Sequence, residues 1–287
     1  MNANRIDPAA PRRARTADTL IFLPTYNEQA TIARMVDCLL ALPIRCDVLV
    51  VDDRSTDGTT EWLRSRAAAD RRVGLIVRPA KLGVGSAHKL GWLHARRLDY
   101  RQIVTLDADF SHDPADVPRL LAALERGADV AIGSRFTSGG RLDYRGWRLF
   151  LSRSANHLAR AVLRLPIAEY TTSLRAAKLD RVPPGLVETI DNDGYGFFLI
   201  CAVRFVRAGL AVTEIPIHFR DRDHGISKIP RLEILRGALN LARLALERRP
   251  AGRATLPLDR VRDCPKCGQP YCVPKASGEM LCLACAH

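Results

Sequence analysis

The sequence predicts an α/β protein with a mostly parallel, doubly wound sheet covered by helices on both faces. Three observations predict it. Short apolar runs alternate with segments whose apolar residues recur at helical spacing. One run, Val48-Leu49-Val50-Val51 after Asp47, is continuously apolar, as a strand buried on both faces must be. Two runs stop in closely spaced carboxylates, Asp52-Asp53 and Asp107-Ala108-Asp109. Open α/β sheets bind their ligands at such carboxyl ends of strands.

The elements follow in order. Residues 1–18, rich in Ala, Arg and Pro, are predicted to form a disordered tail. Leu20 to Leu23 is a short strand stopped by Pro24. Asn27 to Leu42 places Ile32, Met35, Leu39 and Leu40 on one helical face. After the strand Asp47 to Val51, the side chains of Ser55, Thr56 and Asp57 are candidate caps for a helix from Gly58 to Ala69. Val73 to Val77 is a strand, and Gly83-Val84-Gly85-Ser86-Ala87 opens a helix running to Arg97. Ile103 to Leu106 is a buried strand, Pro118 to Arg126 a helix, and Asp129 to Ile132 a strand. Right-handed crossovers then align Pro24, Asp53 and Asp109 along one sheet edge.

Asp107 and Asp109 are the most informative pair. Side chains at i and i+2 of extended backbone point the same way, so both carboxylates can reach one cation. Hard oxygen ligands suit Mg²⁺ or Mn²⁺, ions that commonly bridge carboxylates to substrate phosphates. For Asp-x-Asp alone, a solvated turn ending a strand is the favoured reading, and the rest of the chain changes that. Asp52-Asp53 is harder to dismiss, because adjacent like charges leaving a buried strand repel and call for a cation or ligand nearby.

Composition narrows the partners. Of 287 residues, 44 are Lys or Arg and 31 Asp or Glu, a net charge of +13 that calls for an anionic partner. Nucleotides, phosphorylated lipids, acidic membrane surfaces and nucleic acids all qualify. No run approaches the roughly 18 uncharged apolar residues of a membrane-spanning helix. No apolar segment precedes Thr19, so the N-terminus does not read as a secretory signal. Cys38, Cys46 and Cys201 lie in apolar segments and read as buried free thiols of a cytosolic, reducing compartment.

Five of the eight cysteines lie from Cys264 onward. A charged, Pro-containing linker, residues 248–262, separates them from the main domain, residues 19–247. In the module 263–287, the pairs Cys264/Cys267 and Cys282/Cys285 have the spacing of a zinc ribbon, four thiolates around one structural Zn²⁺. Cys272 is left over. Nucleic-acid binding by such a ribbon is a competing reading, but Lys266 and Lys275 are its only cations, which argues against nucleic acid as the partner.

Taken in order, Pro24-Thr25-Tyr26-Asn27-Glu28, Val51-Asp52-Asp53-x-Ser55-x-Asp57-Gly58-Thr59, Gly83-x-Gly85-x-Ala87, Asp107-Ala108-Asp109-x-Ser111-His112 and Gly133-Ser134-Arg135-Phe136 resemble a family 2 glycosyltransferase of the GT-A fold. Gly146-Trp147, Ser152-Arg153-x-Ala155-Asn156, Thr171-x-x-x-Arg175, Gly194-Tyr195, Glu214-x-Pro216-Ile217 and Asp221-Arg222-x-x-Gly225-x-Ser227-Lys228 narrow the likeness to dolichyl-phosphate (polyprenyl-phosphate) mannosyltransferases. The resemblance spans Leu20 to Leu246. It implies GDP-mannose as donor, a polyprenyl phosphate as acceptor and a divalent metal. Pro24, Tyr26, Glu28, Val51 and Asp53 would line the nucleoside pocket. Asp107, Ala108 and Asp109 would hold the diphosphate through Mg²⁺ or Mn²⁺, with Ser111 beside them. Arg135, Arg222 and Lys228 would contact phosphates. Asp107, Asp109 and Arg135 would carry the catalytic roles, in one in-line displacement with inversion.

The chain departs from this pattern locally. Phe198 and Ile200 stand where Gln and Glu are usual, Glu169 where Asp is usual, and Ser173-Leu174 where Gly-Phe is usual. Asp191 and Asp193 lie just upstream of the first pair. These departures leave another donor sugar, a saccharide acceptor, or a degenerate transferase domain carrying a partner-binding ribbon as alternatives. A lipid acceptor also requires contact with a bilayer, on its cytosolic face or through a membrane-anchored partner. The Arg-rich amphipathic stretches Arg141 to Leu165 and Lys228 to Arg249 are the candidates for a peripheral contact.

Overall fold

The computed structural model describes residues 15–143, 146–221 and 232–247, together with a strand pair near the C-terminus. Its elements are β1 (Thr19–Thr25), α1 (Gln29–Leu40), β2 (Cys46–Asp52), α2 (Thr59–Ala69), β3 (Val73–Val77), α3 (Val84–Arg97), β4 (Gln102–Thr105), a 3₁₀ turn (Pro114–Asp116), α4 (Val117–Glu125), β5 (Val130–Ser134), β6 (Arg141–Leu142), α5 (Gly146–Leu163), β7 (Arg175–Lys178), α6 (Gly196–Arg207), β8 (Val212–Pro216), β9 (His218–Phe219), α7 (Leu232–Leu246), β10 (Cys272–Pro274) and β11 (Met280–Cys282). Of the segment 1–18, Thr16 and Ala17 donate backbone N–H groups to the buried Asp47 carboxylate, which also accepts the Tyr100 hydroxyl.

Seven strands form the main sheet in the order β3-β2-β1-β4-β7-β5-β8. All pairs are parallel except those of β7, which runs antiparallel between β4 and β5. The expected mostly parallel sheet with helices on both faces is present. Beyond Ile132 the sheet gains β7 and β8, which periodicity does not predict because they are short and carry Arg, Lys, Thr and Glu.

Alternation along β1 builds two cores. Leu20 and Phe22 point to one face and pack beneath α3 and α6. Ile21 and Leu23 point to the other and pack beneath α1, α2 and α4. A third cluster joins α5, α6 and α7 through Ala159, Leu163, Leu199, Val203, Leu241 and Leu244. The buried Arg96 fastens α3 to the chain leading into α6. It pairs with Glu188 and donates to the carbonyls of Leu179 and Val182 at 2.8 Å. No helix among the described residues is long and apolar enough to cross a membrane.

The approach of α3 to β1 depends on Gly91, where a Cβ would stand 2.3 Å from the Phe22 ring. Gly91→Ala is therefore expected to destabilise the protein by about 1–3 kcal/mol, despite the better helix propensity of Ala. Urea denaturation monitored by circular dichroism would measure it, and an unchanged midpoint would refute this account of the α3–β1 contact.

Candidate active site

Three neighbouring strands, β1, β2 and β4, end side by side, and the chain must turn sharply after each. Each turn uses a non-glycine residue in the left-handed region: Asn27 (φ 56), Arg54 (φ 58) and Phe110 (φ 59). Such a conformation costs an L-residue roughly 1–2 kcal/mol, so cross-links must hold it. The Asn27 N–H donates to Ser55 Oγ (2.8 Å), and Asn27 Oδ1 accepts the Thr56 N–H (2.9 Å). Asp57 accepts the N–H groups of Gln29 (3.0 Å) and Thr59 (3.1 Å), serving the starts of both α1 and α2. Of the three candidate caps, Asp57 is the one that reaches a helix terminus.

A cleft of about 390 Å³ opens where these turns meet. Pro24, Tyr26, Glu28, Val51, Asp53, Asp107, Ala108 and Asp109 all line it, so residues far apart in sequence converge along one sheet edge. Lys81, Asp193, Gly194, Tyr195 and Arg236 complete its walls.

The Asp52-Asp53 pair divides its labour. Asp52 is fully buried and accepts from the Ser55 N–H (3.1 Å) and the hydroxyls of Ser55 and Thr60 (both 2.5 Å), so it is structural. Asp53 pairs with the buried Arg78 and accepts the Leu82 N–H at 3.2 Å. Burial pushes the Asp53 carboxyl above its ordinary value, against the pull of Arg78. The cation that adjacent carboxylates required is thus this chain's own. Arg78 was missed because it follows an apolar strand with no motif around it.

Asp109 Oδ1 accepts the Ser111 N–H at 3.0 Å, which shapes the turn after β4. The Asp107 carboxylate lies 3.7 Å from His112 Nδ1. Burial pushes His112 down to about 4, so its imidazole is neutral at physiological pH. Ser111 Oγ is buried and has no hydrogen-bond partner among the described residues. Two carboxylates with an unused hydroxyl beside them are the hard-oxygen donor set a divalent cation takes.

Arg135 lies behind this edge. It donates to both oxygens of the fully buried Glu169 (2.7 Å each) and to Thr171 Oγ1 (2.6 Å). Burial pushes the Glu169 carboxyl up, but the Arg135 charge and the N–H groups of Thr171 and Arg135 outweigh it and leave it below the ordinary value. Arg222 and Lys228 lie outside the described residues. The last described residues before them adjoin the β4 turn: the Arg220 N–H donates to the Ser111 carbonyl at 3.0 Å.

The Gly83-x-Gly85 pattern seats a loop. A Cβ on Gly83 would lie 2.3 Å from the Asp193 carbonyl oxygen, and one on Gly85 2.6 Å from that of Asn192. The buried Lys89 donates to Asp193 at 2.7 Å. Asp193 therefore lines the cleft, whereas Asp191 is exposed outside it. Phe198 turns inward, its ring edge-on to His88 at 4.9 Å, and Ile200 packs between two clusters. Burial pushes His88 down to about 3, so this packing buries a neutral ring.

The model of Glycosyl transferase family 2 matches residues 20–180. The chain is a member of that family. A polyprenol monophosphomannose synthase of Mycolicibacterium smegmatis is 37% identical over 225 residues, covering 78% of this chain and 84% of the relative. An undecaprenyl-phosphate mannosyltransferase of Micrococcus luteus is 37% identical over 245 residues, covering 83% and 99%. The protein is thus a glycosyltransferase similar to polyprenyl-phosphate mannosyltransferases. Among solved structures, a glucosyl-3-phosphoglycerate synthase from Mycobacterium tuberculosis, solved with Mn²⁺, UDP and glucosyl-3-phosphoglycerate, superposes with a TM-score of 0.55. It shares 22% identity over 80% of this chain and 79% of its own, a likeness of fold.

The Glu169–Arg135 pair sets an acid limit. Because the folded pKa of Glu169 is depressed, its contribution to stability is complete above its ordinary value of 4.5 and is lost as pH falls through the folded value. Glu169→Ala should cost about 3–5 kcal/mol at neutral pH by stranding a buried guanidinium. Glu169→Gln should flatten the loss of stability on acidification below pH 4.5. Denaturation midpoints across that range would show it, and parallel curves for wild type and Gln would count against the pairing.

Proposed function

We propose that this glycosyltransferase moves mannose from GDP-mannose onto a polyprenyl phosphate of the dolichyl type, with inversion, at the cytosolic face of a membrane. The observation that carries the reading is the cleft itself. Nucleoside-lining groups from β1 and β2, Pro24, Tyr26, Glu28, Val51 and Asp53, adjoin the paired carboxylates after β4. Relatives matched over 84% and 99% of their length are named for polyprenyl-phosphate mannosyl transfer.

Asp107, Asp109 and Ser111 would hold Mg²⁺ or Mn²⁺ together with the donor diphosphate. Bound there, the ion supplies charge that stabilises the leaving nucleotide. Tyr26, with Lys81 Nζ 4.5 Å over its ring, would flank the base. Asp53, held by Arg78, would accept from the nucleoside. Arg135 would face phosphate from the Glu169 side, joined by Arg222 and Lys228.

The acceptor is favoured by what α6 lacks. A sugar hydroxyl needs a base to accept its proton. Phe198 and Ile200 offer none, and Asp193 is engaged by Lys89. A phosphate is already anionic near neutral pH and attacks without one.

A peripheral membrane contact is supported by the side chains exposed on α5 and α7. Phe150, Leu158, Val162, Leu239 and Leu246 are exposed large apolar residues, and Arg153, Arg160, Arg236 and Arg243 occupy the same helices. Such a surface suits an anionic lipid interface, each surface cation contributing about 1 kcal/mol.

The C-terminal module, residues 263–287, would bind one structural Zn²⁺ through Cys264, Cys267, Cys282 and Cys285, beyond the linker 248–262. The antiparallel pair β10–β11, with Cys272 opposite Cys282, supports this, because it brings the chain after the first Cys-x-x-Cys pair alongside the first cysteine of the second.

Radiolabelled transfer tests the reading. Label from GDP-mannose should enter polyprenyl phosphate only with Mg²⁺ or Mn²⁺, and UDP-glucose should not replace it. Asp109→Ala should reduce transfer by a factor of about 100 or more. Label entering a saccharide but no lipid would refute the acceptor assignment. Metal analysis should find one zinc per chain, lost in a Cys264→Ser/Cys267→Ser variant; a zinc-free wild type would sink the ribbon.

A further inference from the structure

Helix α7 lies after the residues that the family model matches, yet one of its side chains reaches the cleft. The geometry follows from a single contact. A Cβ on Gly196 would stand 2.3 Å from Asn240 Nδ2, so α7 is pressed onto the first turn of α6. Tyr195 is the cap residue of that turn and itself lines the cleft. Arg236 lies one helical turn before Asn240, on the same side of α7, which places it over the Asp193–Tyr195 wall.

Charge identifies what Arg236 meets. Among the described residues, Lys81 and Arg236 are the cationic side chains lining the cleft. Lys81 sits over Tyr26, at the wall built by β1. Arg236 comes from α7, at the Asp193–Tyr195 wall. Two cations from separate elements of one cleft fit two anionic groups. A guanidinium suits phosphate because its planar fork offers paired N–H donors.

The surroundings of Arg236 specify which phosphate. Spacing of seven residues puts Leu239 and Leu246 in one column of α7 and Arg236 and Arg243 in the next. Leu239 and Leu246 are 63% and 81% exposed, whereas Leu241 and Leu244 are buried against α5 and α6. A phosphate bound at Arg236 therefore has an exposed apolar column beside it. A nucleotide diphosphate has no use for that column, but a phosphate carrying a prenyl chain does.

We propose that α7 forms the acceptor wall of the active site and that Arg236 binds the phosphate of a prenyl-phosphate acceptor, with Leu239 against the start of its chain. This inference rests on the lipid-phosphate reading above and adds the residues that recognise that acceptor.

The test is binding, independent of turnover. Farnesyl phosphate, a soluble prenyl phosphate, is titrated calorimetrically into the full-length, GDP-loaded protein with Mn²⁺. Arg236→Ala should weaken its binding about tenfold or more, with Arg236→Lys between the two. Leu239→Ser should weaken it less. GDP affinity should stay within about twofold of wild type, and the thermal midpoint should not move, since Arg236 is exposed. Equal farnesyl phosphate binding by wild type and Arg236→Ala would overturn the inference while leaving the acceptor class intact. A matching loss of GDP affinity would overturn it in favour of a donor phosphate. A wild type that binds GDP but no farnesyl phosphate would refute the acceptor class itself, and this inference with it.

Discussion

The seating of the Asn192–Gly194 turn on the start of α3 governs the far side of the molecule. Gly83, at φ 96, and Gly85 leave no room for a Cβ between α3 and the carbonyls of Asp193 and Asn192. The Gly85 N–H donates to the Asp193 carbonyl at 2.8 Å, and Lys89 reaches both the Asp193 carboxylate and the Ile190 carbonyl. Close packing, one backbone bond and one buried cation thus act at a single point. From that point the chain enters α6, α6 seats α7 through Gly196, and the opposite wall stands at a set distance from the strand ends. Bulk added at Gly83 or Gly85 would widen the cleft far from any group that does chemistry.

The second constraint is electrostatic. The cleft and the edge behind it gather charged pairs in which at least one partner is buried and costly to leave alone. The structure supplies a separate internal cation for each carboxylate: Arg78 for Asp53, Lys89 for Asp193 and, behind the edge, Arg135 for Glu169. Each pair is worth little net stability once desolvation is counted, but removing Asp53, Glu169 or Asp193 strands a buried cation. The pairs therefore act less as glue than as fixed dipoles, holding side chains where an incoming diphosphate and cation will meet them. Asp107 and Asp109 follow β4 at the same edge, where Asp109 accepts the Ser111 N–H and Asp107 lies 3.7 Å from the neutral His112 imidazole.

Legibility from sequence followed physical locality. The alternation that produces β1 to β5 with α1 to α4 is local, and the two-face burial of β1 and β2 shows as uninterrupted apolar runs. The cleft edge was legible too, because right-handed crossovers leave few places for Pro24, Asp53 and Asp109. What was hidden depends on contacts distant in sequence. Arg78 reads as a charge ending a strand until it meets Asp53. Arg236 reads as the polar face of an amphipathic helix until Gly196 brings that helix over the cleft. Phe198 and Ile200 read as lost polar residues; in place Phe198 is core and Ile200 is half-buried against two clusters, so the segment is apolar because it packs.

That burial leaves one residue in an unusual position. Arg175, fully enclosed, lies with its guanidinium carbon 5.7 Å over the Phe198 ring. Its Nη2 donates to the carbonyls of Tyr170 (3.1 Å) and Phe198 (2.8 Å), while Nε and Nη1 have no hydrogen-bond partner among the described residues. Burying an undersatisfied guanidinium is costly, and an apolar residue there would relieve the cost. What such a residue could not do is join two turns. Tyr170 belongs to the turn that carries Glu169 and so orients Arg135. Phe198 belongs to the first turn of α6, which continues from Asp193 and Tyr195. Through Nη2, Arg175 ties the two together, so the wall that presents Arg135 and the wall that presents Asp193 cannot shift independently. Its two carbonyl contacts, made beside the apolar Phe198 ring, are the reason a cation remains there.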